Sequence, residues 1–295
     1  MIQRPLVLII VLPIVLISAT LLAGLTACGN DDSRGAADVP APEGTATSAA
    51  ATAGPASPAA ASAELGSIVF TANGEDFVRR GFVDKQGWSI SFKNLYVNIV
   101  DPTAYVPDGD EEVVLEGAHW VDLAEGEAVA EPIILGAVNE VSPANYQSLR
   151  FALRRASGGP YAGSSIVMIG SAERGDVRVP FTIRLDEEML FDGREGYVGE
   201  ELKGLLQPGS TTEVEMTFHF DHLFGDSEAD VEDHINTGSV GFDFFHTFAE
   251  DGAVDVCQTE LKGAEGYRTL VHALWTLGHL GEGHCEVSEQ SSLDL

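Results

Sequence analysis

In four stretches of this chain apolar and polar residues alternate one for one, and only an extended strand turns that pattern into one apolar and one polar face. Trp88, Ile90 and Phe92 alternate with Ser89, Ser91 and Lys93. Leu149, Phe151 and Leu153 alternate with Arg150, Ala152 and Arg154, and Val179, Phe181, Ile183 and Leu185 with Pro180, Thr182 and Arg184. Val214, Met216, Phe218 and Phe220 alternate with Glu213, Glu215, Thr217 and His219. After Asn94 the apolar set continues as Leu95, Val97 and Ile99, shifted by one, which predicts a β-bulge. Shorter strands are expected at Ser67 to Thr71, Val113 to Glu116, His119 to Leu123 and Ser165 to Ser171. Short strands separated by Gly, Pro and Asp turns predict a mainly β body over residues 65–221, an antiparallel β-sandwich.

Two segments before that body differ from it in composition. Met1 to Arg4 is a short positive end, Pro5 to Leu25 is almost wholly apolar, and the run closes on Leu25-Thr26-Ala27-Cys28, so residues 1–27 read as a secretory signal. The alternative, an uncleaved membrane span, conflicts with the acidic pair Asp31-Asp32, since positive charge normally follows a stop-transfer segment. Residues 28–64 are rich in Ala, Pro, Ser, Thr and Gly and cannot bury enough apolar area to offset their ordering entropy, which predicts a disordered tether.

Leu25-Thr26-Ala27-Cys28 resembles the lipobox of bacterial lipoproteins. The resemblance implies lipid on Cys28 as the mature N-terminus, a membrane anchor, and a chain facing the periplasm or the exterior of a bacterial cell envelope. Within the body, Phe92-Lys93-Asn94-Leu95-Tyr96-Val97, Tyr146-Gln147-Ser148-Leu149-Arg150-Phe151 and the strand at Thr211 to Phe220 are similar to the pattern of an uncharacterised family of immunoglobulin-like or transthyretin-like sandwich lipoproteins. That likeness implies a fold and no activity.

Composition enters through charge. With 16 Lys plus Arg against 46 Asp plus Glu the formal net charge is −30, and a surface this acidic repels nucleic acid and anionic lipid headgroups. With Cys28 assigned to lipid, Cys257 and Cys285 remain, an even pair in an oxidising compartment. They are expected to form a disulfide contributing about 3 kcal/mol. The alternative is thiolate ligation of a metal beside His284.

Residues 222–295 read as an acidic loop followed by a small helical, His-rich region packed on the sandwich. Its helix is expected from about Ala264 to Leu277, with Tyr267, Leu270, Val271 and Leu274 as the apolar stripe and Gly278 as the cap. Seven of the eight His lie at or after position 219. The alternation that buries Phe218 and Phe220 is expected to put His219 and Asp221 together on the strand's polar face, about 7 Å apart, with the strand ending near His222. With His222 and with His279, His284 or His272 they are candidates to ligate a divalent transition metal, zinc or copper, since imidazole with carboxylate suits such ions. Carboxylates crowding Asp221 to Asp233 admit a harder cation such as Ca²⁺, without the spacing of a calcium loop.

Catalytic motifs are missing: there is no Gly-x-Ser-x-Gly elbow, phosphate-cradling Gly loop or dinucleotide fingerprint. Three functions are therefore open. They are a lipid-anchored metal-binding protein, an adhesion or scaffold module that contacts protein or glycan without a metal, and a metal-dependent hydrolase using the same His.

Overall fold

The computed structural model describes residues 64–127, 129, 131–198 and 203–289. The expected signal, Cys28 and the tether as far as residue 63 lie outside the described residues. In chain order the elements are β1 (Gly66–Asn73), α1 (Glu75–Arg80), β2 (Phe82–Val83), β3 (Ser89–Tyr105), β4 (Glu112–Val114), β5 (Ala118–Asp122), β6 (Ile133–Val141), β7 (Ser148–Leu153), β8 (Ile166–Arg174), β9 (Val177–Leu185), β10 (Met189–Asp192), β11 (Thr211–Phe218), α2 (Asp221–Phe224), α3 (His234–Gly238), α4 (Phe242–His246), β12 (Val254–Cys257), α5 (Gln258–Leu261), α6 (Tyr267–Leu274), β13 (Gly278–Leu280), β14 (Gly283–His284) and β15 (Glu286–Glu289). The protein is mainly β.

Alternation translates directly into burial on β9, where Val179, Phe181, Ile183 and Leu185 are buried while Pro180 is exposed. The bulge expected at the phase shift is present: between Phe92 and Asn94 the pairing of β3 with β8 slips by one residue, so the apolar face continues from Leu95. β11 departs from the pattern. Glu215 and Thr217 are buried along with Val214, Met216 and Phe218, because Lys203 pairs with Glu215 and the Tyr197 hydroxyl donates to the Glu215 carbonyl at 3.0 Å. A strand covered on both faces loses the polar half of its alternation.

The strands form a five-stranded sheet in the order β14-β13-β11-β1-β6 and a ten-stranded sheet whose main path is β12-β9-β8-β3-β7-β10-β15. Both are mixed, which corrects the antiparallel expectation. β1 runs parallel to β11 and β12 runs parallel to β9, and in both cases the intervening chain is long enough for the crossover that parallel pairing requires. The sheets share one core. Phe151 of β7 meets Phe218 of β11 edge to face, with ring centroids 5.6 Å apart.

The segment after Asp221 is also more than a helical cap. β13 and β14 extend the five-stranded sheet, and β12 and β15 form the two ends of the main path through the ten-stranded one. Its expected helix is shorter, Tyr267–Leu274, with Leu270 and Leu274 buried. Phe242 of α4 packs against Trp88 and Phe181, 5.2 and 5.6 Å between centroids, so the aromatic cluster belongs to the main core.

Candidate metal centre

β11 stops at Phe218, one residue before the first histidine of interest. His219 and Asp221 therefore do not lie on one strand face, contrary to the alternation reading. Phe220 takes a helical conformation (φ −72°, ψ −14°). The His222 and Leu223 amides donate to the carbonyls of His219 and Phe220, at 3.2 and 3.1 Å. The chain thus turns from strand into α2 while both Phe218 and Phe220 stay fully buried. The turn still brings the two side chains near each other, His219 Nδ1 lying 3.9 Å from Asp221 Oδ1.

The second group of histidines arrives by sheet pairing. β13 lies antiparallel to β11 with His279 opposite Thr217, and the β13–β14 hairpin sets His279 opposite His284. Directly opposed residues of an antiparallel pair have adjacent side chains. The hairpin depends on Gly281, which has φ +57° and no room for a side chain, since a Cβ there would sit 2.3 Å from the Val198 carbonyl oxygen.

Four imidazole rings meet as a result. His219 and His279 stack with centroids 4.0 Å apart, His279 and His284 lie at 4.2 Å, and His222 is 5.2 Å from His279 and 5.5 Å from His284. One ring nitrogen from each of His219, His222 and His279 falls within 4.8 Å of the others. Around a zinc ion, with Zn–N bonds of about 2.0–2.1 Å, tetrahedral donors are about 3.3 Å apart, so small side-chain movements would suffice for this trio to hold an ion. Asp221 and His284 adjoin the trio without belonging to it, and His272 lines the neighbouring cleft with His222 and His284.

Hydrogen bonding assigns the donor atoms. His279 Nε2 lies 3.1 Å from the Thr276 carbonyl oxygen, an acceptor only, so Nε2 carries the proton and Nδ1 a bare lone pair. The Thr276 hydroxyl donates its single hydrogen to the Ala273 carbonyl at 2.9 Å. Its oxygen, 3.0 Å from His222 Nδ1, must therefore accept from that nitrogen, which leaves Nε2 of His222 bare. Thr276 thus sets the tautomer of two rings, the role that outer partners of metal-bound imidazoles play. Sequence reasoning missed it, because a Thr between a helix and a strand carries no signal of its own. Nε2 of His219, Nδ1 of His279 and Oδ1 of Asp221 are buried and have no hydrogen-bond partner in the protein.

Electrostatics keep these rings neutral. Burial, reinforced by neighbouring His219, His284 and His222, pushes His279 down to about 2. Burial and then His219 and His284 push His222 down to about 4, and burial lowers His219. Burial raises the Asp221 carboxyl to about 6, with Asp226 and Glu75 adding to it. Neutral imidazole is the form that binds a metal.

The expected Cys257–Cys285 disulfide is not formed. Cys285 is a free thiol, buried in the core and pushed up to about 12 by burial and the nearby Asp192. The two cysteines sit at opposite ends of the main path through the ten-stranded sheet, Cys257 at the end of β12 and Cys285 just before β15. Parity in the sequence says nothing about strand order, and a disulfide needs Cα atoms within about 7 Å. Nor does Cys285 join the His trio as a thiolate.

The acidic stretch is organised around an amide. Asn236 Nδ2 donates to the carbonyls of Asp226 and Asp230 at 2.9 and 3.0 Å, and its Oδ1 accepts from the Asp226 amide at 2.9 Å. Asp233 caps α3 through the Ile235 amide. The backbone carbonyls of Asp226 and Asp230 are thus bonded within the chain.

Among the described residues no helix is long and apolar enough to cross a membrane. No protein-family model, curated protein or solved structure matches this chain.

Proposed function

We propose that this chain is a lipid-anchored protein of the bacterial cell envelope that binds a divalent transition metal, zinc or copper, through His219, His222 and His279. The observation that supports it is that His219, His222 and His279 each bring one ring nitrogen within 4.8 Å of the others, while Nε2 of His219 and Nδ1 of His279 are buried with no partner in the protein. Buried lone pairs without partners are costly unless a ligand satisfies them. Three imidazoles suit Zn²⁺ or Cu²⁺ and leave a further position for Asp221, His284 or water. In this reading the two sheets are layers of a β-sandwich that serves as the rigid support. Membrane attachment rests on Cys28 and its lipobox.

Calorimetry of chelator-stripped protein with added Zn²⁺ or Cu²⁺ tests the metal. At a free ion concentration one hundred times the dissociation constant, binding only to the folded state stabilises it by about 2.7 kcal/mol. His279→Leu should abolish that gain, and no shift with either ion in the unsubstituted protein excludes the metal. Cys28→Ser should move the protein from the membrane fraction to the soluble one, and its retention with an uncleaved signal would favour the membrane-span alternative.

A second reading, glycan contact, is favoured by a separate feature. Tyr96, Trp120 and Tyr161 form an aromatic trio with centroids 5.5 to 6.1 Å apart, and Trp120 and Tyr161 line a cleft with Asn98, Ser157 and Gly158. Failure of the metal test leaves this reading ahead.

A further inference from the structure

Beside the trio lies a cleft of about 300 Å³ whose lining includes His222, His234, His272, Thr276 and His284. Half of the chain's eight histidines thus border one space. Their exposure is graded. The His234 side chain is 90% exposed, His272 and His284 are exposed, His222 is half-buried, the His219 side chain is 17% exposed and His279 only 3%.

Resting on the metal reading above, we propose that this cleft is the loading route of the site, with His234 and His272 as rim ligands that capture a hydrated divalent cation and pass it through His284 and His222 to the trio. Taking a hydrated ion straight into a site as buried as His279 would strip its water before replacement ligands were in reach, and ion desolvation is expensive. Imidazoles placed in series remove that barrier. At each step one metal–nitrogen bond forms while one metal–water or metal–nitrogen bond breaks, with no change in oxidation state.

Several contacts connect the series. The His284 ring is 5.5 Å from that of His222 and 4.2 Å from that of His279, so it adjoins both the cleft and the buried ligand. His234 and His272 line the same cleft as His222 and His284. Asp233, 3.1 Å from His234 Nδ1, puts a carboxylate at the rim, and the net charge of −30 concentrates cations around the molecule.

Zinc, which undergoes no redox change, is the probe. Stopped-flow transfer of Zn²⁺ from a fluorescent chelator to the full chain gives the loading rate, the reverse experiment gives the release rate, and equilibrium competition gives stoichiometry and affinity. In the His234→Ala/His272→Ala protein, one Zn²⁺ should still bind with affinity within twofold of the unsubstituted value. Loading and release should both slow tenfold or more, since an unchanged equilibrium requires both to change together. Both histidines are exposed, and an unchanged thermal midpoint without metal verifies folding. Unchanged rates at unchanged affinity would exclude the cleft as the route. A tenfold loss of affinity would make the rim histidines ligands of the final site and equally overturn the proposal. Absence of Zn²⁺ binding to the unsubstituted protein would reject the metal reading itself, and the loading route with it.

Discussion

Two buried polar clusters in this molecule have opposite hydrogen-bond accounts. Asp84 is fully buried, and its carboxylate accepts the amide hydrogens of Gln86, Trp88 and Phe242, each at 2.8 Å. Around it the Gln86 side chain accepts the Asp243 amide at 2.9 Å, and the Trp88 indole donates to Asp243 at 2.8 Å. Arg174 lies over the Trp88 ring and bridges to Asp243. Every group there has a partner within the chain, and the cluster ties residues 84–88 to α4. At the histidine hub His219 Nε2, His279 Nδ1 and Asp221 Oδ1 are buried with none. A saturated polar cluster specifies the fold, whereas one with unpartnered buried polar atoms is chemically suited to a ligand from outside.

The largest expected effect tests the saturated side. Asp84→Ala leaves two buried amides and one half-buried amide without an acceptor, each buried one worth about 1–3 kcal/mol, so urea denaturation should show a loss of about 3–5 kcal/mol. Zinc bound per folded molecule should not change. A loss below about 1 kcal/mol would mean that water replaces the carboxylate and that the two clusters differ less than their bonding suggests.

Thr276→Val sharpens the other side. Val keeps the shape and removes the hydroxyl that fixes His222, so metal affinity should fall about 10–100-fold, the usual effect of losing an outer partner of a metal-bound imidazole. Equilibrium competition against a chelator measures it. An unchanged affinity would show that ring packing alone holds the tautomer.

The smallest effect concerns acid. Imidazoles whose pKa falls on folding bind protons more readily in the unfolded chain, so metal-free stability should drop as pH falls below 6.5 toward about 4, the His222 value. Asp221, raised to about 6, opposes this by taking up its proton in the folded state first, between about 6 and its ordinary value near 4. Three histidines outweigh one carboxyl, giving a net loss of about 1–2 kcal/mol between pH 7.5 and 6. His222→Gln should flatten that slope. A slope of opposite sign would mean that Asp221 dominates the hub.

Local pattern revealed most of the strands and concealed others. The runs that became β9 and the first half of β3 could be read because each buries one face and wets the other, whereas β7 kept its alternating pattern in sequence although all of it but Arg150 is buried. β6, with Ile133, Ile134 and Leu135 in succession, has no such signal, nor do the short β10 and β12 to β15. At the hub, His219, His222, His279 and His284 were all visible as candidates, yet their expected geometry was wrong in detail. His219 and Asp221 were expected on one strand face, and the chain instead turns after Phe218.

By itself the sequence determined a mainly β body, the bulge at Asn94 and the crowding of imidazoles into the last quarter of the chain, because alternation, phase and composition are local properties. Only the tertiary structure decided that β13 lies beside β11, that Cys257 and Cys285 stand at opposite sheet ends, and that Thr276 holds two rings. Each depends on which strands become neighbours. That choice is made by burial of the shared core across long stretches of chain, and no short window of residues records it.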